Sequence, residues 1–124
     1  MEIFVFGSNL GGRHGKGAAL TAVHEHGAIR GKGWGLQGRS FAIPTKGHQL
    51  NTLSVEFIKG YVSAFIQFAL DHPEYQFIVT RIGCGLAGYK DSDIAPLFES
   101  APSNCQFDIA WSDYLPQRKY WGSF

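Results

Sequence analysis

Ile3-Phe4-Val5-Phe6-Gly7-Ser8-Asn9-Leu10-Gly11-Gly12-Arg13-His14-Gly15-Lys16-Gly17-Ala18-Ala19-Leu20 contains, in order, a β-branched and aromatic run, a glycine-dense turn and the start of a helix. The apolar run does not alternate, so it reads as a buried strand, Ile3 to Phe6, stopped at Gly7. The helix is expected from Ala18 to His26, with Ala19, Leu20 and Val23 at helical spacing and Gly27 as its C-terminal glycine. The pattern recurs further on. Gln76 to Ile82 reads as a strand, Gly83-Cys84-Gly85-Leu86-Ala87-Gly88 as a glycine turn, and Asp91-Ser92-Asp93 as the cap of a short helix reaching Glu99. Between the two units lie a strand at Ser40 to Thr45, ended or bulged at Pro44, and a long helix from an N-cap at Ser54 to about Leu70. That helix carries Val55, Ile58, Val62, Phe65, Ile66 and Ala69 on one face and stops at His72-Pro73. A final strand is read at Gln106 to Trp111, and the residues after it, with Tyr114, Tyr120, Trp121 and Phe124, show no periodicity. Strands separated by helices predict an α/β fold, a mostly parallel sheet covered by helices.

At 124 residues the chain is one domain, 1–124, with 44% hydrophobic and 17% charged residues, a globular composition. The formal charge is +1 and the basic residues read as dispersed, so no extended nucleic-acid surface is expected. No apolar run approaches a membrane span and no signal-peptide pattern leads the chain, which predicts a cytoplasmic protein without a membrane partner. Cys84 and Cys105 form neither a CxxC pair nor a zinc cluster, so a reduced compartment, no metal and no cofactor are expected.

In an open α/β sheet the ligand crevice lies at the carboxyl ends of strands, and the first and third glycine clusters both follow strands. A second cluster, Gly31 to Gly38, reads as a loop with Trp34 as either a lid or a core residue. Glycine turns that open helices present unpaired N–H groups to phosphate, and two of them suit a diphosphate. There is no GxxxxGK[ST], and Gly7 to Gly15 does not contain GxGxxG at the start of the helix, which disfavours a kinase or an ordinary dehydrogenase. Asn9 either meets a sugar hydroxyl or organises an Asx-turn; Arg13 clamps phosphate or is simply solvated; His14 is the candidate acid or base. Cys84 is better read as a packing residue than a nucleophile. Asp91 either acts as a base or caps its helix, and Tyr89 either stacks on a ligand or covers its loop.

Arg81-Ile82-Gly83-Cys84-Gly85-Leu86-Ala87-Gly88 resembles the second ligand loop of macro domains, in the IGCGL form of the terminal ADP-ribose glycohydrolase branch. Arg13 to Ala19 resembles that branch's RMGAGIA loop and helix, and Phe41 to Lys46, followed by Leu53-Ser54 and the long helix, resembles its YLITK strand. The likeness spans about residues 1 to 100 and extends to small macro-like proteins of phages and bacteria with FVFGSN and AIPTK segments. It implies a three-layer α/β/α macro-domain-like sandwich that binds ADP-ribose or an ADP-ribosylated substrate. The loop at Gly83 to Gly88 would embrace the diphosphate, and that at Ser8 to Gly17 the distal ribose. Ligand positions would be Gly7, Ser8, Asn9, Arg13, His14, Gly15, Gly17, Thr45, Ile82, Gly83, Cys84, Gly85, Leu86, Ala87, Gly88 and Tyr89. The branch's lysine-aspartate dyad is missing, because Ala87 and Val23-His24 stand at those positions. The implied activity is hydrolysis of ADP-ribose from a macromolecule or of a derivative such as ADP-ribose 1″-phosphate, with His14 or Asp91 as base and Asn9 orienting ribose or water. The alternatives are a non-catalytic binding module for ADP-ribose or a related NAD-derived nucleotide and an interaction protein on the same scaffold.

Overall fold

A computed structural model describes all 124 residues. The elements run β1 (Glu2–Asn9), α1 (Gly17–Glu25), β2 (Gly35–Gln37), β3 (Ser40–Lys46), α2 (Val55–Asp71), β4 (Gln76–Val79), α3 (Asp91–Ile94), β5 (Cys105–Asp108) and β6 (Lys119–Gly122). One-turn 3-10 helices follow α3 (Ala95–Phe98) and β5 (Ile109–Trp111). The six strands form one mixed sheet in the order β2-β3-β1-β4-β5-β6, in which only the β2–β3 pair is antiparallel. The α/β class and the mostly parallel sheet are therefore as expected.

The chemistry of β1 explains its central place. Ile3 and Val5 point into a core shared with α2, α3 and the turns after them, whereas Phe4 and Phe6 point to the other face, where Ala19 and Ala22 of α1 cover them. Both faces of a parallel strand are buried, which is why its hydrophobicity is continuous rather than alternating. The larger core gathers Phe41, Phe65, Phe77, Phe98, Phe107 and Trp111, with Phe65 edge-on to both Phe41 and Phe77. Fully burying each such ring contributes about 1.5–3 kcal/mol.

Several boundaries differ from the sequence expectation. β1 does not stop at Gly7 but continues to Asn9, because Gly7 and Ser8 pair with Ile43 and Pro44 of β3. The register shifts just beyond Pro44, where the missing donor was expected to disturb the ladder. The buried face of α1 is alanine, with Leu20 and Val23 only half-buried, while Gly27 does end the helix at φ +75°. The second glycine cluster is not all loop, since Gly35 to Gln37 form β2 against Ser40 to Ala42. The strand ending at Asp108 is shorter than expected, and the aperiodic tail supplies β6, paired with Gln106 to Asp108. Lys90, not Asp91, occupies the N-cap of α3; Asp93 accepts from the Lys90 N–H. No helix is long and apolar enough to cross a membrane.

Candidate functional site

Parallel neighbours β1 and β4 deliver the first and third glycine segments to the same edge of the sheet. Between those segments lies a cavity of about 660 Å³, within the range of small-molecule sites. Of the residues expected to bind ligand, Gly7, Ser8, Asn9, Arg13, Gly15, Gly17, Thr45, Ile82, Gly83, Cys84, Gly85, Leu86 and Ala87 line it.

The first wall is fixed by side-chain and backbone bonds. Asn9 Oδ1 accepts from the Arg13 N–H at 2.9 Å and its Nδ2 donates to the Arg13 carbonyl at 3.1 Å, so Asn9 organises the turn even as it lines the cavity. Gly12 has φ +68°, and a Cβ there would lie 2.4 Å from the Gly31 carbonyl carbon and the Lys32 nitrogen. The segment before β2 thus backs the first loop, with the Gly31 N–H donating to the Gly12 carbonyl. α1 then starts at Gly17 with Lys16 as N-cap and no side-chain cap. Lys16, Gly17, Ala18 and Ala19 all line the cavity, so the orphan N–H groups and positive dipole end of a nine-residue helix open onto it.

The second wall is the turn after β4. Gly83 and Gly88 take φ +78° and +86°, the Gly88 N–H donates to Gly85, and the Tyr89 N–H returns to Gly83. The N–H groups of Gly85, Leu86 and Ala87 make no hydrogen bond within the protein. The turn is braced from outside: Thr52 Oγ1 donates to the Ala87 carbonyl at 3.2 Å and the Tyr89 hydroxyl to the Leu53 carbonyl at 2.6 Å. Arg81 and Asp91 close its base through two 2.8 Å bonds, and Trp111 Nε1 donates to Asp91 Oδ1 at 2.7 Å. Bonding to Arg81 holds the Asp91 carboxyl below the usual aspartate value, and Asp91 in turn raises Arg81.

Four expected positions lie elsewhere. His14 is 1% exposed and turned away from the cavity; its ring is edge-on to Phe6, and Nε2 bonds the Lys32 carbonyl at 3.0 Å and Gln37 Oε1 at 3.2 Å. His14 is therefore corrected from acid or base to a buried support of the first loop. Asp91 is corrected likewise: it neither caps a helix nor lines the cavity, because its oxygens are held by Arg81 and Trp111. Gly88 shapes the second turn without lining the cavity, and Tyr89 braces it from behind. Cys84 lines the cavity, but burial, reinforced by nearby Asp91, pushes its thiol up to about 12, which leaves negligible thiolate at neutral pH.

Sequence reasoning missed Ala18, Ala19, Lys46, Leu50, Thr80, Arg81, Asp108 and Phe124 among the cavity residues. Lys46 was legible as the end of its strand, whereas Asp108 depends on the tail: its Oδ2 accepts from Ser123 Oγ at 3.1 Å and the Phe124 N–H at 3.2 Å. Oδ1 accepts from Ala110 N at 2.9 Å, so this fully buried carboxylate is satisfied. Asp108 is the only acidic residue lining the cavity, against Arg13, Lys16, Lys46 and the paired Arg81. The structure contains no cluster of three or more His, Cys, Asp or Glu able to hold a metal. No family model matches the chain, and neither a curated protein nor a solved structure is significantly similar to it.

Proposed function

We propose that the protein binds ADP-ribose, with its diphosphate between the two glycine walls, and that the fold is a short three-layer sandwich of the macro-domain kind. The observation that carries this reading is the pair of open amide sets on one cavity: the uncapped start of α1 on one side and the free N–H groups of Gly85, Leu86 and Ala87 on the other. Each is an anion site built from backbone, and two of them facing a single space match two phosphates better than one. Lys16, Arg13 and Lys46 add positive charge without an ion-pair partner. The strand order and the helices on both faces of the sheet support the macro-domain reading of the fold.

The same cavity supports binding over hydrolysis. A general base must reach the proton it removes, and no free carboxylate or imidazole lines the space. Asp108 has all its partners, Cys84 is protonated, and His14 and Asp91 are engaged elsewhere. The protein thus acts as a binding module for the ADP-ribosyl group, free or attached to a carrier.

Calorimetric titration tests this directly. ADP-ribose is expected to bind in the micromolar range, about −8 kcal/mol, with AMP at least about tenfold weaker because it engages only one wall. Equal affinity for AMP and ADP-ribose, or no heat with either, overturns the two-wall reading. Release of ADP-ribose from a modified peptide at enzymatic rates would overturn the binding-module assignment alone.

A further inference from the structure

A second cavity, of about 420 Å³, lies between the start of β2 and the first half of α2. Its lining residues, Trp34, Glu56, Phe57, Gly60, Tyr61 and Ala64, include none of those around the first cavity. Trp34 is therefore no lid on the glycine turns. Its ring is edge-on to the buried Phe41, with centroids 5.1 Å apart, and its centroid lies 5.3 Å from that of Tyr61 at an interplanar angle of 45°. The Trp34 and Tyr61 rings thus form a wedge rather than a closed stack. Phe57, 66% exposed, stands one turn before Tyr61 on the same helix.

The small residues leave this space open. Gly60 sits inside the 17-residue α2, its φ is not in the left-handed region, and a Cβ there would meet nothing within 4 Å. Neither the backbone nor the packing requires glycine, and alanine would favour the helix. What a glycine keeps here is room beside the aromatic rings.

Glu56, one turn before Gly60, brings charge to the same groove. It is exposed and makes no ion pair, since the only pair in the protein is Arg81 with Asp91, and Lys59 does not reach it. From Leu53 to Gln76 the chain carries Glu56, Asp71 and Glu74 against Lys59 alone. The faces of aromatic rings are negative, so the rings and the carboxylate favour the same kind of occupant, a cation.

We infer that this groove receives an arginine side chain of a partner protein. A planar guanidinium lies on an aromatic face and at the same time donates two parallel bonds to a carboxylate, which neither a lysine ammonium nor a quaternary ammonium does. Glu56, Phe57, Gly60 and Ala64 are all exposed, so the groove is open to a side chain presented on another surface rather than built to enclose a small molecule. The inference is independent of the ADP-ribose reading, because the two cavities share no residue.

The test is an amide and indole NMR titration of the whole protein with acetyl-Gly-Arg-Gly-amide, beside the lysine, trimethyllysine and norleucine versions of that peptide. The Trp34 Nε1 and Gly60 amide signals are expected to shift together with millimolar affinity for arginine, more weakly for lysine and trimethyllysine, and not at all for norleucine. Glu56→Gln and Phe57→Ala are each expected to weaken arginine binding about two- to fivefold. Gly60→Leu, which fills the groove, is expected to abolish it without lowering the melting temperature, since leucine is the better helix former. ADP-ribose affinity in all three variants is expected to stay within about twofold of the parent. No shift with the arginine peptide, or an equal shift with norleucine, overturns the proposal and leaves the ADP-ribose reading standing. A lysine or trimethyllysine peptide that binds as tightly as arginine assigns the groove to cations at large and overturns the arginine assignment. The same signals moving as the protein alone is concentrated would assign the groove to a second copy of the chain and overturn the partner-protein assignment.

Discussion

α1 and α2 start in opposite ways. α2 opens on Ser54, whose Oγ accepts from the Phe57 N–H at 3.3 Å, as its sequence predicts. α1 opens on Lys16, whose side chain has no group able to accept from the helix amides, and it does so on the wall of the cavity between the glycine turns. The first amides of α2 are met by its own Ser54 side chain, whereas those of α1, left uncapped at a cavity, are available for a ligand. The contrast separates what stabilises the fold from what is held open for binding.

The largest expected effect breaks the first loop itself. Gly12→Ala places a Cβ 2.4 Å from backbone atoms of Gly31 and Lys32 at φ +68°. Strain and overlap together are expected to cost about 3 kcal/mol or more, read as a denaturant midpoint shift, with ADP-ribose binding lost alongside. Ser54→Ala, at the other helix, is expected to cost about 1 kcal/mol of stability and leave ADP-ribose affinity unchanged. If Ser54→Ala weakened binding as much as Gly12→Ala, the two helix starts would not be functionally distinct.

Lys16→Asp sharpens the comparison because it supplies the missing cap. Stability is expected to rise by about 0.5–1 kcal/mol, from capping and from a carboxylate at the dipole's positive end. ADP-ribose affinity is expected to fall at least about tenfold, since the new carboxylate takes the amides and repels the diphosphate. Stability and binding moving together in the same direction would contradict the account.

The smallest effect concerns the brace of the second wall. Asp91 has a lowered pKa in the folded protein, so its ion pair with Arg81 stabilises the fold fully above the ordinary aspartate range and is lost as pH falls through the lower folded value. The melting-temperature difference between the parent protein and Asp91→Asn is therefore expected to be constant near neutrality and to shrink below about pH 4. Arg81 is 42% exposed, so the effect is small and screened by salt. A difference that persists unchanged in acid would assign the Asp91 contribution to its bond with Trp111 instead.

The legibility of the sequence divides along the same line. α2 was readable almost to the residue, because its periodicity, its Ser54 cap and its His72 stop all act within a few residues. The cavity was readable as two glycine turns after strands, since both signals are local. His14 was not: nothing within the loop says that the ring turns inward, and its partners Phe6 and Gln37 lie on two different strands. β2 and β6 escaped for a similar reason. Three residues of the second glycine cluster become β2 only by pairing with Ser40 to Ala42, and β6 exists because Gln106 to Asp108 offer a ladder, with Trp121 Nε1 reaching the Val79 carbonyl at 2.9 Å. Asp91 looked like a helix cap because aspartate near a helix start usually is one; Arg81 and Trp111 claim it from ten and twenty residues away.

The measurement that tests the two-wall claim most directly is a two-dimensional amide NMR titration with ADP-ribose. The account predicts that Gly17, Ala18 and Ala19 shift together with Gly85, Leu86 and Ala87 at one common ligand concentration dependence. Shifts confined to one of these groups, or two groups that titrate with different affinities, would contradict it.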